Sequence, residues 1–268
     1  MKKFIYLSAL LVFLFTLSGC NLFENMDSYS DNDDDVFYYN AKSTINSGDN
    51  AKLKELEATI TAKLASNPAN TAALELLLAD VRLALSGVDL LKAATDIFDM
   101  VNNSDDLSYT ATNITSIISM DDDQLAYLKQ SILTYNSTLV LTPDLASLTS
   151  EDRNQYMSAG IANVMYSANT ILNVFDTNGD DKIDELDTYA DFKQTDWNNV
   201  KTDLITSLES SVAYLNVAFQ NNTSDGQATT DNEEMVQTIN EIKTDLNNYN
   251  TISSTDFTTI INTVLTGK

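Results

Sequence analysis

From about residue 36 to the end, apolar residues recur at intervals of three and four, and little breaks the pattern. The chain holds two prolines, Pro68 and Pro143, and seven glycines in 268 residues. These are the strongest punctuation a chain has. A chain so poor in them must turn on Asn, Asp, Ser and Thr, which compete for backbone hydrogen bonds and favour caps. The spacing predicts helices over 36–46, 50–66, 71–86, 88–102, 106–119, 122–138, 151–175, 197–220, 231–249 and 255–265. No segment alternates apolar and polar residues long enough to argue for a sheet. The expected fold class is all-α: an antiparallel helical bundle or a short helical-repeat array, with one distinctive loop.

Two helices carry the clearest faces. Met157, Ile161, Val164, Ala168, Ile171 and Phe175 line one; Trp197, Val200, Leu204, Leu208, Leu215 and Phe219 line the other. Each face should be buried against neighbours. Helix starts are expected where Thr195 precedes Asp196, where Asp231 precedes Glu234, and where Ser254 precedes Asp256. Asp121, Asp122 and Asp123 suit the positive end of a helix dipole.

The side-chain inventory excludes much chemistry. There is no histidine and one cysteine, Cys20. Ser-His-Asp and Cys-His catalysis and imidazole ligation are therefore absent, as are intrachain disulfides. Formal charge is −24 at pH 7. Such a surface repels phosphate backbones, so nucleic acid is not an expected partner. Carboxylates, hydroxyls and amides remain, a donor set suited to hard cations such as Ca²⁺.

Lys2 and Lys3 precede an apolar run, Phe4 to Leu17, which ends in Leu17-Ser18-Gly19-Cys20. The run is too short to span a bilayer core of about 30 Å comfortably and fits a removable leader better. This arrangement resembles the signal peptide and lipobox of bacterial lipoproteins. The resemblance implies cleavage after residue 19, lipidation of Cys20, and a location on the extracytoplasmic side of the cell envelope. By the same resemblance, Asn21 points to the outer membrane or cell surface rather than the inner membrane. Loss of Lys2 and Lys3 would take the formal charge from −24 to −26. Residues 20–35, with the acidic run Asp31-Asn32-Asp33-Asp34-Asp35, then read as a lipidated, solvated tether. The helical domain follows over 36–268, with 36–149 and 150–268 as a further division.

Asn67-Pro68-Ala69-Asn70-Thr71-Ala72-Ala73-Leu74 turns one helix into the next, and a third helix should begin at Val88. Over residues 50–102 this resembles the junction between tetratricopeptide repeats. Generic helical hairpins with a proline at the turn remain the alternative.

The segment with the most chemistry is Asp176-Thr177-Asn178-Gly179-Asp180-Asp181-Lys182-Ile183-Asp184-Glu185-Leu186-Asp187. It resembles the calcium loop of EF-hands and, in its last residue, that of dockerins. The resemblance implies Ca²⁺ held by Asp176, Asn178 and Asp180, the carbonyl of Lys182, Asp184 through a water, and Asp187. Asp181 stands where such loops carry the glycine of the sharp turn. Ile183 should pin the loop to the core, and Leu186 and Phe192 should serve a short exiting helix. A plain acidic interhelical turn is the alternative. The segment 221–228 is expected to be an ordinary interhelical loop.

These readings point to a non-catalytic, membrane-anchored lipoprotein, a calcium-stabilised binding or interaction module with a protein partner in the envelope. The alternatives are a tetratricopeptide-like accessory lipoprotein of a transport or envelope assembly, and a hydrolase using paired carboxylates. The frequent tyrosines, Tyr38, Tyr39, Tyr109, Tyr127, Tyr135, Tyr156, Tyr166, Tyr189 and Tyr214, are expected mainly in the core or at its rim.

Overall fold

Asp49 opens the first tight hairpin. Its carboxylate accepts from the amides of Ala51 (3.1 Å) and Lys52 (3.3 Å), satisfying donors that the first helical turn leaves open. These bonds, the Lys52 amide first, hold the Asp49 carboxyl below its ordinary range. The computed structural model describes residues 33–66, 68–88, 120–180, 183, 186–219, 243–244 and 246–266.

The helices described are α1 (Asp33–Ser47), α2 (Asn50–Ala65), α3 (Thr71–Leu85), α4 (Asp122–Thr138), α5 (Ser150–Phe175), α6 (Gln194–Phe219) and α7 (Ser254–Thr266). Residues 243–244 and 246–248 are also helical, and no strand occurs among the described residues. The fold is all-α. The helices expected over 88–102 and 106–119, the beginning of the one expected over 231–249, and the loop 221–228 lie outside the described residues.

Several boundaries move. Asp33, Asp34 and Asp35 belong to α1, not to a spacer; an acidic run suits the positive end of a helix dipole. α6 begins at Gln194, so Thr195 lies inside it. The cap of α7 is Ser253, one residue before the expected position. Its hydroxyl accepts from the Asp256 amide (3.2 Å), and Asp256 accepts from the Ser253 amide (3.0 Å). Asp121 caps α4 in a reciprocal box with Gln124, and Thr149 with Asp152 does the same for α5. Each such cap is worth about 1 kcal/mol.

Two cores meet on α3. Leu74, Leu77, Leu78, Val81 and Leu85 pack with Ala41 of α1 and with Leu53 and Ile60 of α2. Ala79 and Leu83 belong to the larger core, shared with α4, α5, α6 and the C-terminal segment. α3 and α4 run in opposite directions. Glu75 accepts from Thr138 (3.2 Å), the Ala79 carbonyl from Ser131 (2.8 Å), and Arg82 donates to Thr134 (3.3 Å). Arg82 also pairs with Glu57 of α2 at 3.0 Å.

α5 and α6 form the long antiparallel pair at the centre. Ser211 donates to the Gly160 carbonyl (3.0 Å), and Ser207 to the Asn163 carbonyl (3.0 Å) and side chain (2.9 Å). Gly160 permits this approach: a Cβ there would lie 2.6 Å from Leu215 Cγ. From Tyr156 to Leu172 α5 is buried on nearly every side, so its Ser and Asn residues are interior groups. The expected face on α5 is buried apart from the partly exposed Met157. On α6, Trp197, Leu204, Leu208 and Leu215 are buried, and Val200 partly so; the Phe219 side chain lies outside the described residues.

Candidate metal site

The loop begins where α5 ends. Asp176 still donates its amide to Leu172 O (2.8 Å) but has left helical geometry, with ψ 87°. Asp176 Oδ1 then accepts from the amides of Gly179 (2.7 Å) and Asp180 (3.2 Å), and Asn178 Oδ1 from the amide of Asp180 (2.8 Å). These short-range bonds curl the chain. The tight bend falls on Gly179, with φ +76°, a conformation other residues adopt only at a cost. Sequence reasoning set the sharp turn at Asp181, which lies outside the described residues.

Asp187 closes the loop from its far end. Its carboxylate is buried, with 7% of the residue exposed. Oδ1 accepts from the amides of Thr177 (2.6 Å) and Asn178 (3.2 Å) and from the Thr177 hydroxyl (3.2 Å). Thr177 Oγ1 in turn accepts from the amide of Thr188 (2.9 Å). The first and last acids of the motif thus sit on the same short stretch of backbone. Ile183 is buried in the main core, as expected of the anchor.

Of the expected ligands, Asp176, Asn178, Asp180 and Asp187 fall within this closed loop. Lys182 and Asp184 lie outside the described residues, as do Asp181 and Glu185. Among the described residues no three carboxylates converge closely enough to form a metal cluster by themselves. The donor chemistry is nonetheless all hard oxygen, which fits Ca²⁺ better than a softer ion. Thr177 has a larger role than the motif suggested, since its hydroxyl joins both ends of the loop. Its hydroxyl on a spacer position was the available signal.

The expected exiting helix is absent among the described residues. Leu186 is 68% exposed, and 189–191 form a turn before α6 begins. Thr188 holds that turn by donating its hydroxyl to Asp191 (2.6 Å). Phe192 packs against Phe175, the residue before Asp176, with ring centroids 5.6 Å apart. Phe175 also meets Trp197 at 6.0 Å and Phe257 at 5.7 Å. The loop therefore rests on an aromatic floor.

A second polar cluster lies between the two cores and carried no sequence signal. Tyr135 of α4 donates its hydroxyl to Asp80 of α3. Lys42 of α1 pairs with Glu151 of α5 close by. Burial pushes the Asp80 carboxyl up to about 6; the Tyr135 bond opposes this, Glu151 adds to it and Lys42 offsets it. Burial, with the negative charge of Asp80, also raises Tyr135 well above its ordinary value. Tyr135, Tyr156 and Tyr214 are core residues, while Tyr39 and Tyr189 lie at the rim, 49% and 40% exposed.

Cys20 and the leader lie outside the described residues. Among those described, no helix is long and apolar enough to cross a membrane. Comparisons with protein families, with curated proteins and with solved structures find no match.

Proposed function

We propose that this chain is a non-catalytic helical lipoprotein, held to the envelope by acyl chains on Cys20 and stabilised by one Ca²⁺ in the loop 176–187, acting as an interaction module for a protein partner. The observation that supports it most is the closure of that loop. Asp187, buried and ten residues or so from the loop's start, reaches back to the amides of Thr177 and Asn178, while Asp176 organises the amides of Gly179 and Asp180. Six carboxylates lie between 176 and 187, and a divalent cation would offset the repulsion among any that the loop brings near one another. Asp176, Asn178, Asp180, Asp184, Asp187 and the Lys182 carbonyl would hold it, and the ion would supply charge neutralisation rather than a reaction. The absence of histidine and of a second cysteine favours a binding role over catalysis.

Thermal melts of the purified chain in Ca²⁺ and in chelator test the metal. At a Ca²⁺ concentration 100 times Kd, linkage adds about 2.7 kcal/mol, which raises Tm by several degrees. A Tm indifferent to calcium removes the metal. Mass measurement of the N-terminal peptide tests the anchor; an intact, unacylated leader refutes it.

A further inference from the structure

Gly179 is the one glycine in the chain that follows an asparagine. That pair carries a reaction of its own. The backbone nitrogen of the second residue can attack the side-chain amide of the first, and a residue without Cβ leaves the path open. The site is also accessible. Asn178 and Gly179 are both exposed, and a Cβ placed on Gly179 would meet nothing within 4 Å. Water and base therefore reach it.

The reaction balances with water as its only co-reactant. Gly179 N loses its proton to base and bonds to Asn178 Cγ, and the charge passes to Oδ1. The Cγ–Nδ2 bond then breaks. The freed nitrogen takes a proton from water and leaves as ammonia. Water opens the resulting cyclic imide at either of its carbonyls. Opening at Cγ gives an aspartate at position 178. Opening at the backbone carbonyl routes the chain through Cβ and Cγ, giving an isoaspartate with an extra atom in the backbone.

The closed loop holds both reacting groups away from this course. Gly179 donates its amide to Asp176 Oδ1 (2.7 Å), so the electron pair left by deprotonation would face a carboxylate rather than Asn178 Cγ. A negative charge beside the amide also disfavours loss of that proton. Asn178 Oδ1 accepts from the Asp180 amide (2.8 Å), and the Asn178 amide donates to Asp187 (3.2 Å), which fixes the side chain and the backbone that carries it. Reaction therefore runs through the opened loop. We propose that Asn178 is a deamidation site guarded by these hydrogen bonds, with Asp176 as the positioning residue, and that isoaspartate there keeps the loop from closing again. The extra backbone atom lengthens the path from Asp176 to the Gly179 and Asp180 amides it now holds. The modification thus opens the loop in one direction only. None of this requires a cation in the loop.

The test uses the full chain in detergent and chelator, held at mildly alkaline pH and sampled by peptide mapping with isoaspartyl methyltransferase labelling. The folded chain should deamidate Asn178 slowly. In urea the rate should rise about tenfold or more, the factor expected when a hydrogen bond to a charged group is lost. Asp176→Ala should approach the urea rate while circular dichroism shows the helices intact. Asp176→Asn, which keeps a side-chain oxygen as acceptor, should stay closer to the parent rate. Amide exchange at Gly179 and Asp180 should quicken in the isoaspartate form. Equal rates in the folded chain and in urea overturn the guard, and so do equal rates in Asp176→Ala and Asp176→Asn. If Asn178 stays intact in urea while other asparagines react, the site is wrong. Unchanged exchange in the modified form overturns the one-way opening.

Discussion

Ala41, Leu53, Ile60, Leu74, Leu77, Leu78, Val81 and Leu85 fill the space between α1, α2 and α3. Between α5 and α6 an equal depth of burial encloses Asn163, Ser167, Ser207 and Ser211 beside the aliphatic residues. The first core is held by non-directional burial. The second is also held by hydrogen bonds that fix which residue faces which. Aliphatic packing tolerates rearrangement at roughly constant volume; a buried polar seam tolerates only substitutions that keep every group satisfied. The seam belongs to the helices that deliver the candidate metal loop, so register there sets the geometry of the loop's two ends.

The largest effect expected from breaking this contrast lies at the loop end of the seam. Phe175→Ala removes the ring that touches Phe192, Trp197 and Phe257 and should cost about 3–5 kcal/mol in urea unfolding. A loss no greater than that of Ile60→Leu would erase the distinction between the cores.

At the boundary between the two cores, Asp80 gives a pH signature. Its folded value near 6 lies above the ordinary 3.8, so the folded state binds more protons between those values. Stability contributed by the neutral carboxyl is complete below about pH 4 and is lost as pH rises to about 6. The size is about 2 kcal/mol, taking 1.36 kcal/mol per unit and discounting for partial exposure. The difference in unfolding free energy between the parent chain and Asp80→Asn, measured from pH 4 to 7, should show this slope. A pH-independent difference would place the carboxyl in water.

Gly160→Ala comes next. The new methyl meets Leu215, and overpacking of this kind costs about 1–3 kcal/mol. An unchanged midpoint would mean that α5 and α6 can separate freely. Thr149→Ala, which removes the cap of α5, should cost about 1 kcal/mol. Smallest is Ile60→Leu in the aliphatic core, expected below about 1.5 kcal/mol; a larger loss would show that this core too demands one arrangement.

Much of the architecture was legible because it is local. The all-α class followed from spacing, and the hairpin of α2 and α3 from Pro68 between two periodic runs. The apolar faces of α5 and α6 were read at nearly every position the structure describes. The polar seam was not read, because Ser and Asn at helical positions look like solvent-facing residues. Gly160, where α5 and α6 approach closely, is a sequence signal that went unread. In the loop, spacing singled out Asp176, Asn178, Asp180 and Asp187, and all four lie on or close a stretch curled by short-range hydrogen bonds. The aromatic floor was not legible, because Phe257 and Phe175 share no local period. Leu186 was misassigned because an apolar residue next to a buried anchor reads as a core contact, whereas the chain turns it outward.

α3 contributes one face to each hydrophobic cluster: Leu77 and Val81 to one, Ala79 and Leu83 to the other. Neither cluster can melt without taking a wall from its neighbour. Denaturation should therefore be a single concerted event across both halves of the described chain, with the same midpoint whether followed near Leu53 or near Trp197.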